Sequence, residues 1–193
     1  MRVLAAAGHF FWELVKVFLL AMAIIVPIRY FLVQPFFVRG ASMEPTFLDG
    51  EYLVIDELSY RLREPRRGEV IVFQFPHNPS QFFIKRIVGL PGEQVTIEDS
   101  RITIYNDRYP DGVLLDEAQY LSTGVRTGGV ISVTLADDEY FVLGDNRAAS
   151  SDSRSWGSLN TEAIIGRAWI RAFPVDRFGV LRFERPGFLE ARG

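Results

Sequence analysis

An apolar run near the N-terminus constrains this chain of 193 residues more than any other feature. Residues 10–38 read FFWELVKVFLLAMAIIVPIRYFLVQPFFV, with charges only at Glu13, Lys16 and Arg29. The longest uncharged stretch before Arg29, residues 17–28, covers about 18 Å as a helix, short of a hydrocarbon core of about 30 Å. Residues 10–14 and 30–33 extend it enough to span. Glu13 and Lys16 then sit three apart on one helix face, where they can pair. Arg29 can snorkel to the far interface, and Pro27 is tolerated because membrane helices accept kinks. A buried core helix and a cleavable signal peptide are the alternatives. The second has Arg2 and a small-x-small site, Ala21-Met22-Ala23. It also has two charges in its apolar segment and ten further apolar residues past the site. We therefore expect a single membrane anchor. Basic residues flank the run on both sides, so charge does not orient it.

Composition removes several chemistries. With no Cys there is no disulfide, thiolate metal site or Cys nucleophile. Of the two His, His9 lies in the apolar region, which leaves His77 alone in the body and rules out a His-rich metal site. A net charge of -3, with no basic run longer than Arg66-Arg67, gives no footprint for nucleic acid. Of 21 basic residues only Lys16 and Lys85 are lysines. Arginine does not give up its proton in a protein, whereas a buried lysine can. Lys85 is thus the only side chain of the body able to act as an amine base.

Past Gln34-Pro35 the pattern turns to short runs rich in Val, Ile, Phe and Tyr, broken by Gly, Pro, Asn and Asp. Strands are expected at 36–38, 52–56, 69–74, 82–88, 94–97, 101–105, 130–135, 140–143 and 163–173, with no long helix beyond the anchor. This predicts a mostly β fold, an antiparallel sheet or barrel-like body behind one N-terminal transmembrane helix. Residues 106–129 are polar and poorly periodic. They read as a small insertion or flap, or as an ordinary long loop.

Three clusters can carry chemistry. In Gly40-Ala41-Ser42-Met43-Glu44-Pro45-Thr46, a Ser lies among small residues with a Pro just beyond. In Phe82-Phe83-Ile84-Lys85-Arg86-Ile87-Val88, the period of two puts Phe83, Lys85 and Ile87 on one face. An ammonium among apolar neighbours loses hydration, so its pKa falls and the neutral amine can accept a Ser proton. The third, residues 144–157, is dense in short hydrogen-bonding side chains. Within it Asp152 and Arg154 can form a charged brace, and Ser150 can orient an amine. Each alone also reads as an ordinary loop, solvated strand or polar turn.

Together they resemble the type I signal peptidase (leader peptidase) family, bacterial membrane-bound Ser-Lys endopeptidases. The matching residues are Ser42-Met43-x-Pro45-Thr46, Lys85-Arg86-Ile87-x-Gly89-x-Pro91-Gly92, and Gly144-Asp145-Asn146-Arg147 with Ser150-x-Asp152-Ser153-Arg154 and Trp156-Gly157. Residues 67–73 look like a further family strand. The resemblance implies Ser42 as nucleophile and Lys85 as general base, with Ser150 orienting the amine and Asp145, Asp152 and Arg154 supporting. It makes Met43 and Ile84, and also Phe36, Val38 and Phe47, substrate-pocket residues. It implies no metal or cofactor. The expected partners are signal-peptide-bearing preproteins cut after small-x-small sites, and the lipid bilayer, with no nucleic acid. It places residues 1–9 as a cytoplasmic stub, 10–34 as anchor and 35–193 as an extracytoplasmic peptidase domain on the bacterial cytoplasmic (inner) membrane. Gly40 stands where some members carry a Ser that helps the oxyanion hole, so backbone donors, notably Ser42 N–H, would carry that role. A non-enzymatic peptide-binding β module, a Ser-Lys peptidase with another task, and a hydrolase built on His77 remain as rivals.

Overall fold

The structure is a computed structural model that describes residues 2–31 and 33–189. It opens with a long helix, α1 (Arg2–Phe31), on which Lys16 donates to Glu13 at 2.7 Å. The side chains described on it run from Gly8 to Ala23 with Ile25, and nearly all are exposed. Among the described residues no helix is long and apolar enough to cross a membrane. Residue 34, the expected end of the anchor, lies beyond this helix. The helix ends at Phe31, and β1 (Val33–Phe37) follows, pairing antiparallel with β2 (Tyr52–Asp56). As an edge strand, β1 can hold Pro35, which has no N–H to donate.

The elements that follow are α2 (Ser59–Leu62), β3 (Val70–Phe75), β4 (Asn78–Gly89), β5 (Gln94–Glu98), β6 (Arg101–Asn106) and β7 (Tyr109–Leu115). Then come β8 (Ile131–Thr134), β9 (Glu139–Leu143), α3 (Ser153–Trp156), β10 (Leu159–Asn160), β11 (Ile164–Phe173), β12 (Gly179–Val180) and β13 (Phe188–Leu189). The helices after α1 are single turns, as the lack of helical periodicity predicts.

The expected barrel-like body is two open antiparallel sheets among the described residues. The larger runs β1-β2-β11-β3-β4-β9-β10 with β12 beside β11, and the smaller runs β13-β7-β6-β5-β8. Alternation differs between them for a physical reason. β5 and β6 bury every second residue, because one face packs inward. The first four residues of β3 and the last six of β4 are all buried, because both faces are covered. Val70 and Val72 join one core with Val38, Met43, Phe47, Leu53 and Ile84, while Ile71 and Phe73 join another with Ile87 and Tyr140.

Residues 106–129 are not a simple flap. Residues 109–115 form β7, which pairs with β6 and β13 and sends Val113 and Leu115 into the core of the small sheet. Pro110 and Gly112 conceal this strand in the sequence. Gly112 has φ of +83°, and a Cβ there would lie 2.6 Å from the Tyr105 ring, so only glycine fits. The second sheet thus uses residues 94–134 and the tail, more chain than the flap expected there.

Candidate active site

Lys85 lies in β4, in register with Ile71 of β3, and only 3% of it is exposed. Its Nζ donates to Ser42 Oγ at 2.8 Å and to the Ile84 carbonyl at 2.8 Å. Burial lowers the pKa of the amine from 10.5 to about 8, against the opposing charges of Asp152 and Asp145. A neutral amine has two protons and one lone pair. With a proton on the Ile84 carbonyl, the lone pair can face the Ser42 hydroxyl.

The loop carrying Ser42 is held from several sides. Asn146 clasps it twice, its backbone N–H donating to the Ser42 carbonyl and its Nδ2 to the Ala41 carbonyl, both at 3.0 Å. Thr46 donates its hydroxyl to Asp145 at 2.5 Å, and the Thr46 carbonyl accepts from Arg171. Gly144 allows this approach. A Cβ at Gly144 would stand 2.4 Å from the Ser42 carbonyl oxygen and 2.1 Å from Ser150 Oγ.

Among the expected supporting residues, Asp152 accepts from Arg154 through Nε at 2.8 Å and Nη2 at 2.9 Å, the charged brace anticipated from sequence. Burial alone would raise the Asp152 pKa. The Arg154 hydrogen bond and the Gly144 N–H outweigh it and hold the carboxyl below its usual range. Asp145 belongs to a different pair, bound through both oxygens to Arg86 at 2.8 and 2.6 Å. Ser150 does not bond the Lys85 amine. Its Oγ is buried with no hydrogen-bond partner among the described residues, although it is near enough to Asp152 to favour the ionised form. The second acceptor of the amine, beside Ser42, is the Ile84 carbonyl.

A cleft of about 540 Å³ opens onto the pair, lined by Phe36, Ser42, Phe82, Phe83, Ile84 and Lys85 among others. Of the apolar residues singled out in the sequence, Phe36 and Ile84 line it. Met43, Phe47 and Val38 are buried in the core beneath, because the tight turn after Ser42 folds Met43 and Phe47 inward. His77 is exposed in a turn beside Phe75, 5.4 Å between rings.

Sequence reasoning assigned no role to Arg86, Asn146, Gly144 or Thr46. Arg86 left a signal: it neighbours Lys85 in a strand, so it points to the opposite face, and a buried Arg there needs an acid.

The family model for signal peptidase, peptidase S26, matches residues 11–173. The chain belongs to the signal peptidase S26 family. As a member of it the protein is a serine peptidase, hence a hydrolase. A probable signal peptidase I-2 from Synechocystis is 38% identical over 88% of this chain and 76% of its own length. A signal peptidase I from Leptolyngbya laminosa is 36% identical over 88% of this chain and 83% of its own. A crystal structure of a signal peptidase I from Enterococcus faecalis, 31% identical, covers 54% of this chain and 97% of that one with a TM-score of 0.44. The S26 match spans all three sequence clusters and stops short of the tail from residue 174 onward.

Proposed function

We propose that this protein is a membrane-bound endopeptidase that removes N-terminal signal peptides after small-x-small sites, using Ser42 as nucleophile and Lys85 as base. The observation that carries this is the buried amine 2.8 Å from the Ser42 hydroxyl. At a pKa of about 8, roughly a tenth of the amine is neutral at pH 7. That fraction takes the Ser42 proton as Oγ attacks the carbonyl of the residue before the scissile bond. The ammonium then protonates the leaving amine. The regenerated base next activates a water that hydrolyses the acyl-enzyme. The Ser42 N–H stabilises the developing oxyanion.

The substrate strand lies in the cleft. On one side is β1, an edge strand with a free row of backbone groups. On the other are residues 81–85 of β4, which lie outside the β4–β9 pairing at 86–89. Strand addition suits such edges. Phe36, Phe82 and Ile84 crowd the cleft, which favours small side chains such as Ala on the substrate.

The anchor reading, with the site on the extracytoplasmic face, draws support from the exposed apolar surface of α1. Phe10, Phe11, Trp12, Phe18 and Leu20 are each about 60% exposed or more. A surface so apolar calls for a lipid or protein cover. An anchor would confine enzyme and preprotein to one surface and raise their effective concentration.

The test is cleavage of a peptide bearing Ala-x-Ala by the full chain in detergent. Ser42→Ala and Lys85→Ala should each lose turnover by more than about a hundredfold. Turnover kept by Lys85→Ala would remove the base assignment.

A further inference from the structure

Arg86 follows Lys85 in β4 and is 2% exposed. Its N–H edges are occupied. Nε and Nη2 donate to Asp145, and Nη1 donates to the Gly68 carbonyl at 2.7 Å. The flat faces of a guanidinium make no hydrogen bonds, and aromatic rings are their natural cover. Two rings supply it. Arg86 Cζ stands 4.0 Å from the centroid of Tyr120 and 5.4 Å from that of Phe183.

Neither ring belongs to the three sequence clusters. Tyr120 comes from the loop after β7, and Phe183 lies past residue 173, where the family match ends. Each ring is itself fixed. The Tyr120 hydroxyl donates to Glu117 at 2.6 Å, and Glu117 pairs with the buried Arg147 next to Asn146. Phe183 meets Phe47 of the Ser42 loop edge-on at 6.3 Å.

We infer that Tyr120 and Phe183 are positioning residues for the hydrolysis, holding Arg86 on Asp145 and so fixing the loop that carries Ser42. The inference rests on the Ser42–Lys85 reading. The chain of contacts runs from the rings to Arg86, from Arg86 to Asp145, and from Asp145 to the Thr46 hydroxyl, four residues past Ser42. It also has an electrostatic arm. The Asp145 charge favours the ammonium form of Lys85. Arg86 neutralises that charge only while the two stay aligned. A displaced guanidinium leaves the carboxylate uncompensated, and less of the amine is neutral at a given pH.

The test uses the full chain in detergent with the Ala-x-Ala peptide. Tyr120→Leu and Phe183→Leu keep apolar volume and lose the ring face. Each should lower kcat about fivefold to tenfold, the scale of a desolvated cation–ring contact, with KM within about twofold. The acid limb of the pH–rate profile should move to higher pH. Tyr120→Phe, which keeps the ring face and loses only the hydroxyl's bond to Glu117, should recover most of the wild-type rate and bring the acid limb back toward the wild-type pH. An unmoved acid limb, or a kcat loss that only follows the folded fraction measured in the same samples, overturns the inference. Tyr120 is on a loop, so its leucine variant carries the test even where Phe183→Leu folds poorly. Lys85→Ala in the same assay separates the two readings. Turnover there defeats the dyad itself. An inactive Lys85→Ala beside wild-type leucine variants defeats only the positioning role.

Discussion

The two faces of β4 treat buried charge in opposite ways. On one, Arg86 is given a carboxylate through both oxygens, a backbone carbonyl and two aromatic rings. On the other, Lys85 is given one carbonyl, one hydroxyl and the Phe83 ring, 5.3 Å away. Asp145 and Asp152 reach it only through their field. The first environment stabilises a cation and the second penalises one. The difference teaches that burial alone does not make a base. A buried lysine can serve as a base only where no carboxylate in contact holds its proton, whereas a guanidinium keeps its proton in either setting.

Lys85→Met probes this contrast most sharply. It should abolish turnover and, at pH 7, raise stability by roughly 3 kcal/mol, the linkage value of an amine held near 8 when its ordinary value is 10.5. The unfolded lysine keeps its proton up to about 10.5 and the folded one only to about 8. Stability of the wild type should therefore climb as pH rises between those values, while activity climbs through about 8. Denaturant unfolding in detergent reads the first, and a pH–rate profile the second. A flat stability over that range would break the comparison.

Arg86→Met is the opposite case. It strands Asp145 as a buried charge without its cation and should cost about 3–5 kcal/mol, with activity falling alongside. Adding Asp145→Asn should recover part of the stability, since the stranded charge goes with it. No recovery in the double variant would mean that the pair contributes through packing alone.

The small sheet supplies the control. Its core gathers Val95, Ile97, Ile102, Ile104, Val113 and Leu115, none of which can carry a charge. Ile104→Ala should cost about 2–5 kcal/mol and leave kcat per folded molecule unchanged. A changed kcat there would place this sheet in the catalytic machinery.

Much of this was legible beforehand. The alternation of β5 and β6 and the unbroken apolar run of β9 are written in their Val, Ile, Phe and Tyr residues, and all three strands lie close to where the sequence predicts them. β7 was hidden because Pro110 and Gly112 interrupt its alternation, and only pairing with β6 gives the glycine a reason to be there. The family resemblance makes Met43 and Phe47, close neighbours of Ser42, pocket residues. A turn in the chain decides whether a neighbour faces the cleft or the core, and here they face the core.

From the sequence alone came the residue types able to do the chemistry: one lysine in the body, one serine among small residues, no cysteine and no histidine cluster. Composition can limit candidates because a side chain's proton affinity and nucleophilicity are first of all properties of its type. Only the tertiary structure brought Ser42 and Lys85, 43 positions apart, to 2.8 Å. It also gave Asp145 to Arg86 and left the amine without an acid in contact. Those outcomes depend on which distant surfaces exclude water around a group, and no local pattern along the chain encodes that.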